Sequence, residues 1–300
     1  MTSEMAKVVR NLYATFARYP CPDVIESCPC GCTKPDAIAH LVALPLRELR
    51  LPDLLDFCFS ALTTQGSIND FRYLLPRLLQ GISEEPCGCN AEILFGKLDY
   101  AKWLTWPEDE IAAVRAYLRI LWCTALNAFP LEDQLPAFFE IETVLASIAI
   151  TGESLDFYLT TWTETATSEA DQHLLQFVTM FGSDFSGGRT FTQGFWARCQ
   201  PQAAALRRWL LRPDTLQRIR QAAHLLKNDG FEHLFQPAVE ALWREKLASK
   251  LWHSRRSSKI MFSATSLELA DCQPRFRLRH NAKFGYALSN SDNRADRDSL

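Results

Sequence analysis

Residues 106–126 read WPEDEIAAVRAYLRILWCTAL, and this stretch decides the fold class. Pro107 stands in the first turn, and three acids follow it near the positive end of a helix dipole. One apolar stripe behind them recurs at intervals of three to five residues, close to one helical turn, and consists of Val114, Leu118, Leu121 and Leu126. The stretch therefore predicts a long helix with one buried face.

Similar helical spacing recurs along most of the chain, without strand alternation of useful length. The predicted helical segments are residues 3–18, 36–43, 52–63, 70–82, 90–103, 134–149, 154–163, 168–181, 202–211, 214–227 and 231–252. Pro76 lies inside the segment 70–82, where we expect a kink. Together the segments predict an all-α fold, an array of antiparallel helical hairpins. HEAT-like stacking is the alternative, although no clear repeat is found.

Turn signals and composition divide the chain into three parts. We expect an N-terminal helical domain over residues 1–130, a second helical domain over residues 131–253 and a basic, weakly structured tail over residues 254–300. Residue 185 is an alternative position for the boundary between two helical lobes. The tail carries nine basic and five acidic residues, a charge of +4, which leaves −7 on residues 1–253 of the net −3.

Composition and charge disfavour several classes of protein. The chain has 300 residues and 47% hydrophobic content, enough for one large core or two medium ones. The net charge of −3 gives no overall field that attracts nucleic acid, and the apolar runs are shorter than the ~20 residues of a membrane span. Glu4, Lys7 and Arg10 interrupt any secretory signal. We expect a cytoplasmic protein with neither nucleic acid nor a membrane as partner.

Seven of the ten cysteines fall in the first 90 residues, and five of them form two short motifs. Cys28, Cys30 and Cys32 alternate with Pro and Gly, and Cys87-Gly-Cys89 repeats the spacing. Such a loop can gather thiolates around zinc or an iron–sulfur cluster, but the C-x2-C pair of a zinc finger is absent. We favour an irregular proline-rich loop with small, partly buried thiols and no cofactor. A metal or redox site at these five cysteines is the alternative.

The sequence contains no recognisable catalytic motif. The patterns H-E-x-x-H, G-x-S-x-G and Walker A are absent, and Gly187-Gly188 is interpreted as a loop. A nucleophilic cysteine would need a base, yet the six histidines are scattered, with His40 nearest to the cysteine-rich loop. We therefore expect no enzymatic activity and assign no catalytic residue.

Eight tryptophans are present, and two of them adjoin a run of acids. Trp103 and Trp106 stand beside Glu108, Asp109 and Glu110. If the indoles are exposed, this segment forms an aromatic anchor with an acidic surround, which suits a basic partner protein. The alternative is that the tryptophans belong to the core.

Four segments in order along the chain carry a resemblance to a family of uncharacterised bacterial cytosolic helical proteins. They are CPCGCTKP (28–35), ALTTQGSINDFRYLLPRLLQ (61–80), EILFGKLDYAKWLTWPEDE (92–110) and AVRAYLRILW (113–122). The resemblance covers roughly residues 10–128, and Gln65 departs from it because this position often holds Trp in the family. The C-terminal half lies outside the resemblance.

Some members of that family resemble immunity proteins of polymorphic toxin systems of the Rhs or contact-dependent type. The resemblance implies a non-catalytic protein that binds a cognate antibacterial toxin and blocks its active site. The acidic body suits a basic toxin domain, for example a nuclease or an ADP-ribosyltransferase. The alternative function is metal binding or redox sensing in the cytosol through the cysteine cluster.

Overall fold

The computed structural model describes residues 1–29, 35–84, 91–128, 141–181, 194–225, 239–244 and 246. Within these ranges the protein is all-α: helices pack around a continuous hydrophobic core, and no β-strand is present. The all-α prediction is confirmed. No helix in the described part of the chain has both the length and the apolar character that crossing a bilayer requires.

The helices of the first half follow the predicted segments closely. They are α1 (Ser3–Phe16), α2 (Pro35–Ala43), α3 (Leu51–Ser60), α4 (Ile68–Glu84), α5 (Ala91–Tyr100) and α6 (Glu108–Leu126). Short 3-10 helices at Leu46–Glu48 and Trp103–Thr105 precede α3 and α6.

In the second half, the helices are α7 (Ile141–Ile150), α8 (Asp156–Glu164), α9 (Ser168–Phe181), α10 (Gln200–Leu210) and α11 (Pro213–Leu225). A 3-10 helix at Gly194–Arg198 precedes α10. Part of the predicted segment 134–149 and most of the segment 231–252 lie outside the described residues.

Local side chains explain where α3 and α4 begin. Asp53 accepts a hydrogen bond from the Arg50 backbone N–H at 2.9 Å, which satisfies a donor at the start of α3. At α4, Asp70 accepts from the Ser67 N–H at 2.7 Å, and the Ser67 hydroxyl accepts from the Asp70 N–H at 3.3 Å. This reciprocal pair is a capping box, and the three-residue spacing of Ser67 and Asp70 in the sequence already indicates such a helix start. From there α4 continues through Pro76 to Glu84 as one helix.

Two groups of helices bury most of the large side chains. In the first, α1 packs against α4 and α6; in the second, α7 packs against α5, α6 and α9. Trp162 of α8 stacks on Trp209 of α10 with ring centroids 5.1 Å apart and meets Trp122 of α6 edge-on at 5.4 Å. The indole N–H of Trp122 donates to Tyr158 O, that of Trp162 to Ala170 O and that of Trp209 to Thr163 Oγ1. Buried indoles with satisfied N–H groups therefore join α6, α8 and α10.

The described residues all belong to one compact unit, Met1–His253, which includes both predicted helical domains. The boundary predicted at residue 130 falls in a segment outside the described residues, as does the whole predicted tail. The division at residue 130 stays a prediction.

Candidate functional site

The predicted aromatic anchor is buried. Trp103 is 0% exposed and Trp106 is 6% exposed, so neither indole is available to a partner in this structure. Trp103 Nε1 donates to Thr151 O at 2.8 Å, and Trp106 Nε1 donates to Ala101 O at 3.0 Å. The prediction of an aromatic anchor required both indoles to be exposed, and this is wrong. The alternative, that both tryptophans belong to the core, is confirmed: their rings are buried and their N–H groups bond internally.

The three acids beside the tryptophans have different environments. Glu110 is 0% exposed, whereas Glu108 and Asp109 lie at the surface. Asp109 pairs with Arg18, and both of these side chains are about half exposed. Of the predicted acidic patch, Glu108 and Asp109 are exposed to solvent. The prediction is wrong for Glu110, which is buried and forms an ion pair with Arg72.

Glu110 is the centre of a polar network that joins α4, α6 and the turn after α1. Its Oε2 lies 3.5 Å from Arg72 Nε on α4. Its Oε1 accepts a 2.6 Å hydrogen bond from the Tyr19 hydroxyl, which in turn accepts from Arg72 Nη1 at 2.9 Å. The Arg72 guanidinium also lies 4.4 Å from the centroid of the Trp106 ring, within cation–π range.

The electrostatics of this network fit a structural role. Burial, together with the hydrogen bond that Tyr19 donates to the Glu110 carboxylate, raises the pKa of Tyr19 above its ordinary value of 10.0. Tyr19 therefore stays protonated and keeps donating. A buried carboxylate with a guanidinium and a phenol as partners links α4, α6 and the turn that follows α1.

His173 takes a structural position. Its Nε2 lies 3.0 Å from both Ala125 O and Ala128 O at the C-terminal end of α6, so the neutral tautomer with the proton on Nε2 suits the site. The side chain is fully buried, and burial lowers its pKa below 6.5. His40 is half-exposed on α2, with Nε2 3.8 Å from Asp53.

Of the five cysteines in the predicted cluster, the described residues include Cys28 alone. Cys28 is disulfide-bonded in this structure, and its sulfur is therefore not a free thiolate here. Cys30, Cys32, Cys87 and Cys89 lie outside the described residues. In the part of the chain that is described, no group of three His, Cys, Asp or Glu side chains is placed to hold a metal. The metal or redox site stays a prediction.

An apolar groove with acids at its edge lies next to Cys28. One wall is segment 23–27, which forms an antiparallel bridge at Ser27, and the other wall comes from α2 through Pro35, Ile38, Ala39 and Val42. The groove has a volume of about 480 Å³, within the usual range of ligand sites. Ile25 is nearly fully buried, whereas Val24 is 72% exposed.

The charge of the groove is one-sided over its described lining. Asp23 and Glu26 are both exposed, and no lysine or arginine is among the described lining residues. Asp36, in the first turn of α2, adds a further exposed acid. An apolar floor with acids at the edge is complementary to a segment that carries both apolar and basic side chains.

The sequence does not predict this groove, because the prolines and cysteines around Cys28 indicate only an irregular loop. The available signal is the sequence PDVIES, in which two acids flank two apolar residues. Which of these residues are exposed and which are buried depends on contacts with a distant part of the chain. Gly66 N–H donates to Glu26 O, and Cys28 N–H donates to Thr64 O, both at 2.8 Å.

A second cavity of about 570 Å³ lies between α1, α4 and the Leu46–Glu48 turn. Two of its three tyrosines already use their hydroxyls internally. Tyr13 donates to Gln80 Oε1 at 2.8 Å, and Tyr19 donates to Glu110. The groove beside segment 23–27 is therefore the better candidate for binding a partner.

Comparison of this chain with models of protein families, with curated proteins and with solved structures finds no match in any of the three. The fold places the chain in the all-α structural class, and the groove beside segment 23–27 is the feature that bears on its function.

Proposed function

We propose that this protein is a non-catalytic binding protein of the cytoplasm that neutralises a cognate antibacterial toxin, as an immunity protein does. The observation that carries the proposal is the apolar groove edged by Asp23 and Glu26. A protein that blocks a basic active site needs apolar contact area for affinity and opposite charge for rapid, specific encounter.

The rest of the body supports this function. Residues 1–253 carry a net charge of −7, so the field around the groove favours a basic toxin domain such as a nuclease or an ADP-ribosyltransferase. We also propose that an array of antiparallel hairpins supports the groove. Helices that are neighbours in sequence pack together at α2 with α3, at α3 with α4 and at α10 with α11.

Co-expression with the gene product encoded immediately upstream, as the candidate toxin, tests the proposal. We expect the wild-type protein to restore growth and to co-purify with the toxin domain. The double variant Asp23→Lys/Glu26→Lys should lose both properties because it reverses the charge of the groove edge.

The matched control is Glu4→Lys/Glu164→Lys, which makes the same charge change at two exposed acids that do not line the groove. It should keep growth rescue. Wild-type protein that neither rescues growth nor co-purifies would remove the proposed function. Equal loss in both double variants would show that overall charge, rather than the groove, is responsible.

A further inference from the structure

The wall of the groove formed by segment 23–27 has one paired and one unpaired backbone edge. Ser27 forms an isolated antiparallel bridge with Gln65. The two hydrogen bonds of this bridge flank Ser27: Glu26 O accepts from Gly66 N–H, and Cys28 N–H donates to Thr64 O. In antiparallel pairing this pattern marks Ser27 as the residue whose own N–H and C=O point away from the paired strand.

Alternation extends this conclusion to Ile25, whose N–H and C=O point the same way as those of Ser27. In the described part of the chain, no hydrogen-bond partner is found for the backbone groups of Ile25 or Ser27. Residues 64–66 lie on the paired side and do not line the groove, whereas α2 lines the opposite side. The unpaired edge therefore faces the groove.

The side chains of the segment complete the arrangement. Ile25 packs inward, with its Cγ2 3.4 Å from where a Cβ on Gly66 would stand. Val24 and Glu26 alternate with it and are exposed. An extended chain in the groove would thus meet backbone donors and acceptors on one side, the apolar α2 wall on the other and carboxylates at the edge.

We propose that the groove binds its partner as an added β-strand: an extended, basic segment pairs through its backbone with the Ile25–Ser27 edge. Apolar side chains of the segment pack against Ile38 and Val42, and alternate lysine or arginine side chains face Glu26, with Asp23 as a further carboxylate at the end of the wall. Strand addition takes affinity from backbone hydrogen bonds and specificity from alternate side chains. This proposal rests on the proposed function and specifies how the toxin segment is held.

The variant Ser27→Pro tests the unpaired edge. Proline removes the outward N–H, and its φ suits an extended segment, so the two hydrogen bonds to residues 64–66 can remain. Ser27→Ala is the matched control because it removes only the hydroxyl. Circular dichroism and the urea midpoint should be the same for both variants, which shows that each is folded.

The probe is a fluorescein-labelled peptide of alternating lysine and valine, titrated with the full-length protein and followed by fluorescence anisotropy. Ser27→Pro should weaken binding about tenfold through the lost hydrogen bond, while Ser27→Ala stays within about twofold of wild type. Two further peptides are N-methylated at every second amide: one peptide at the amides that point to one edge of the strand, the other at the amides that point to the opposite edge. We expect one of them to bind like the parent peptide and the other to lose binding.

Equal binding by wild type and Ser27→Pro, equal binding of both methylated peptides, or no binding of the parent peptide to wild type would each overturn strand addition. Growth rescue and binding of the toxin domain separate the two proposals. If Ser27→Pro binds the toxin domain as tightly as wild type while Asp23→Lys/Glu26→Lys loses growth rescue, the proposed function holds and strand addition is wrong. If wild-type protein gives no rescue, the proposed function itself fails.

Discussion

The substitution Glu110→Gln isolates the buried ion pair between α4 and α6. It keeps the size of the side chain and an oxygen that accepts the Tyr19 hydroxyl, but it removes the negative charge opposite Arg72. Glu110 is 0% exposed, and the Arg72 side chain is 16% exposed. The guanidinium would therefore remain in a poorly solvated site without its counter-ion.

Removing one partner of a buried pair costs about 3–5 kcal/mol. The Arg72 ring contact with Trp106 and the residual solvent access of Arg72 favour the lower end of this range. We expect Glu110→Gln to lower the free energy of unfolding by about 3 kcal/mol, a decrease in Tm of roughly 6–12 °C for a unit of this size.

Asp109→Asn is the matched control, because Asp109 precedes Glu110 in the same first turn and pairs with Arg18 at the surface. An exposed pair contributes ~0–1 kcal/mol, so the control should unfold almost like wild type. Replacing both members of the buried pair, Glu110→Gln with Arg72→Met, should cost less than the sum of the two single changes.

Urea unfolding followed by tryptophan fluorescence measures the wild type and all four variants. Additive effects of Glu110→Gln and Arg72→Met, or equal small effects of Glu110→Gln and Asp109→Asn, would refute the assignment of a buried, coupled pair.

Three further predictions concern packing, pH and metal. Gly81→Ala should lower the unfolding free energy by about 1 kcal/mol, because a Cβ would lie 2.9 Å from Leu51 Cδ1 and 3.0 Å from its Cβ. Gly96→Ala should raise it by up to about 1 kcal/mol, since its Cβ would meet Ile150 at an ordinary 3.5 Å; the same sign in both variants would contradict this packing. The lowered pKa of His173 means that the unfolded state binds more protons below pH 6.5, so stability should fall as pH decreases through that value. His173→Gln should reduce the difference in urea midpoint between pH 7.5 and 5.5, and an unchanged difference would assign it to other groups. Elemental analysis of anaerobically purified protein should find no stoichiometric zinc or iron; one metal per chain would favour the cysteine-cluster alternative.

The helices could be predicted because their signals are local. The stripe of α6 and the Ser67–Asp70 capping box depend on residues three to five positions apart, and the structure reproduces both. The environment of Glu110 could not be predicted, because Arg72 reaches it from a helix 38 positions earlier. Trp106 likewise adjoins acids in sequence, which favoured an exposed patch, yet its ring is covered by α1 and α4.

The structure of the groove could not be predicted from the sequence either. Segment 23–27 has no helical period and stands among prolines, so its residues predict nothing regular. Its extended form depends on Thr64 and Gly66, and the φ of +71° at Gly66 favours glycine at this turn. Long-range backbone pairing of this kind leaves no pattern within a short window.

The Arg72–Glu110 pair has a consequence for how this protein can change in evolution. Because the loss of either charge alone is destabilising, a lineage that loses one regains stability by losing the other, and the two positions should vary together among relatives. Asp23 and Glu26 carry no such internal constraint and are free to diversify with the surface that they meet. Among relatives, Arg72 and Glu110 would then be kept or lost together, whereas Asp23 and Glu26 would differ according to the partner that each protein binds.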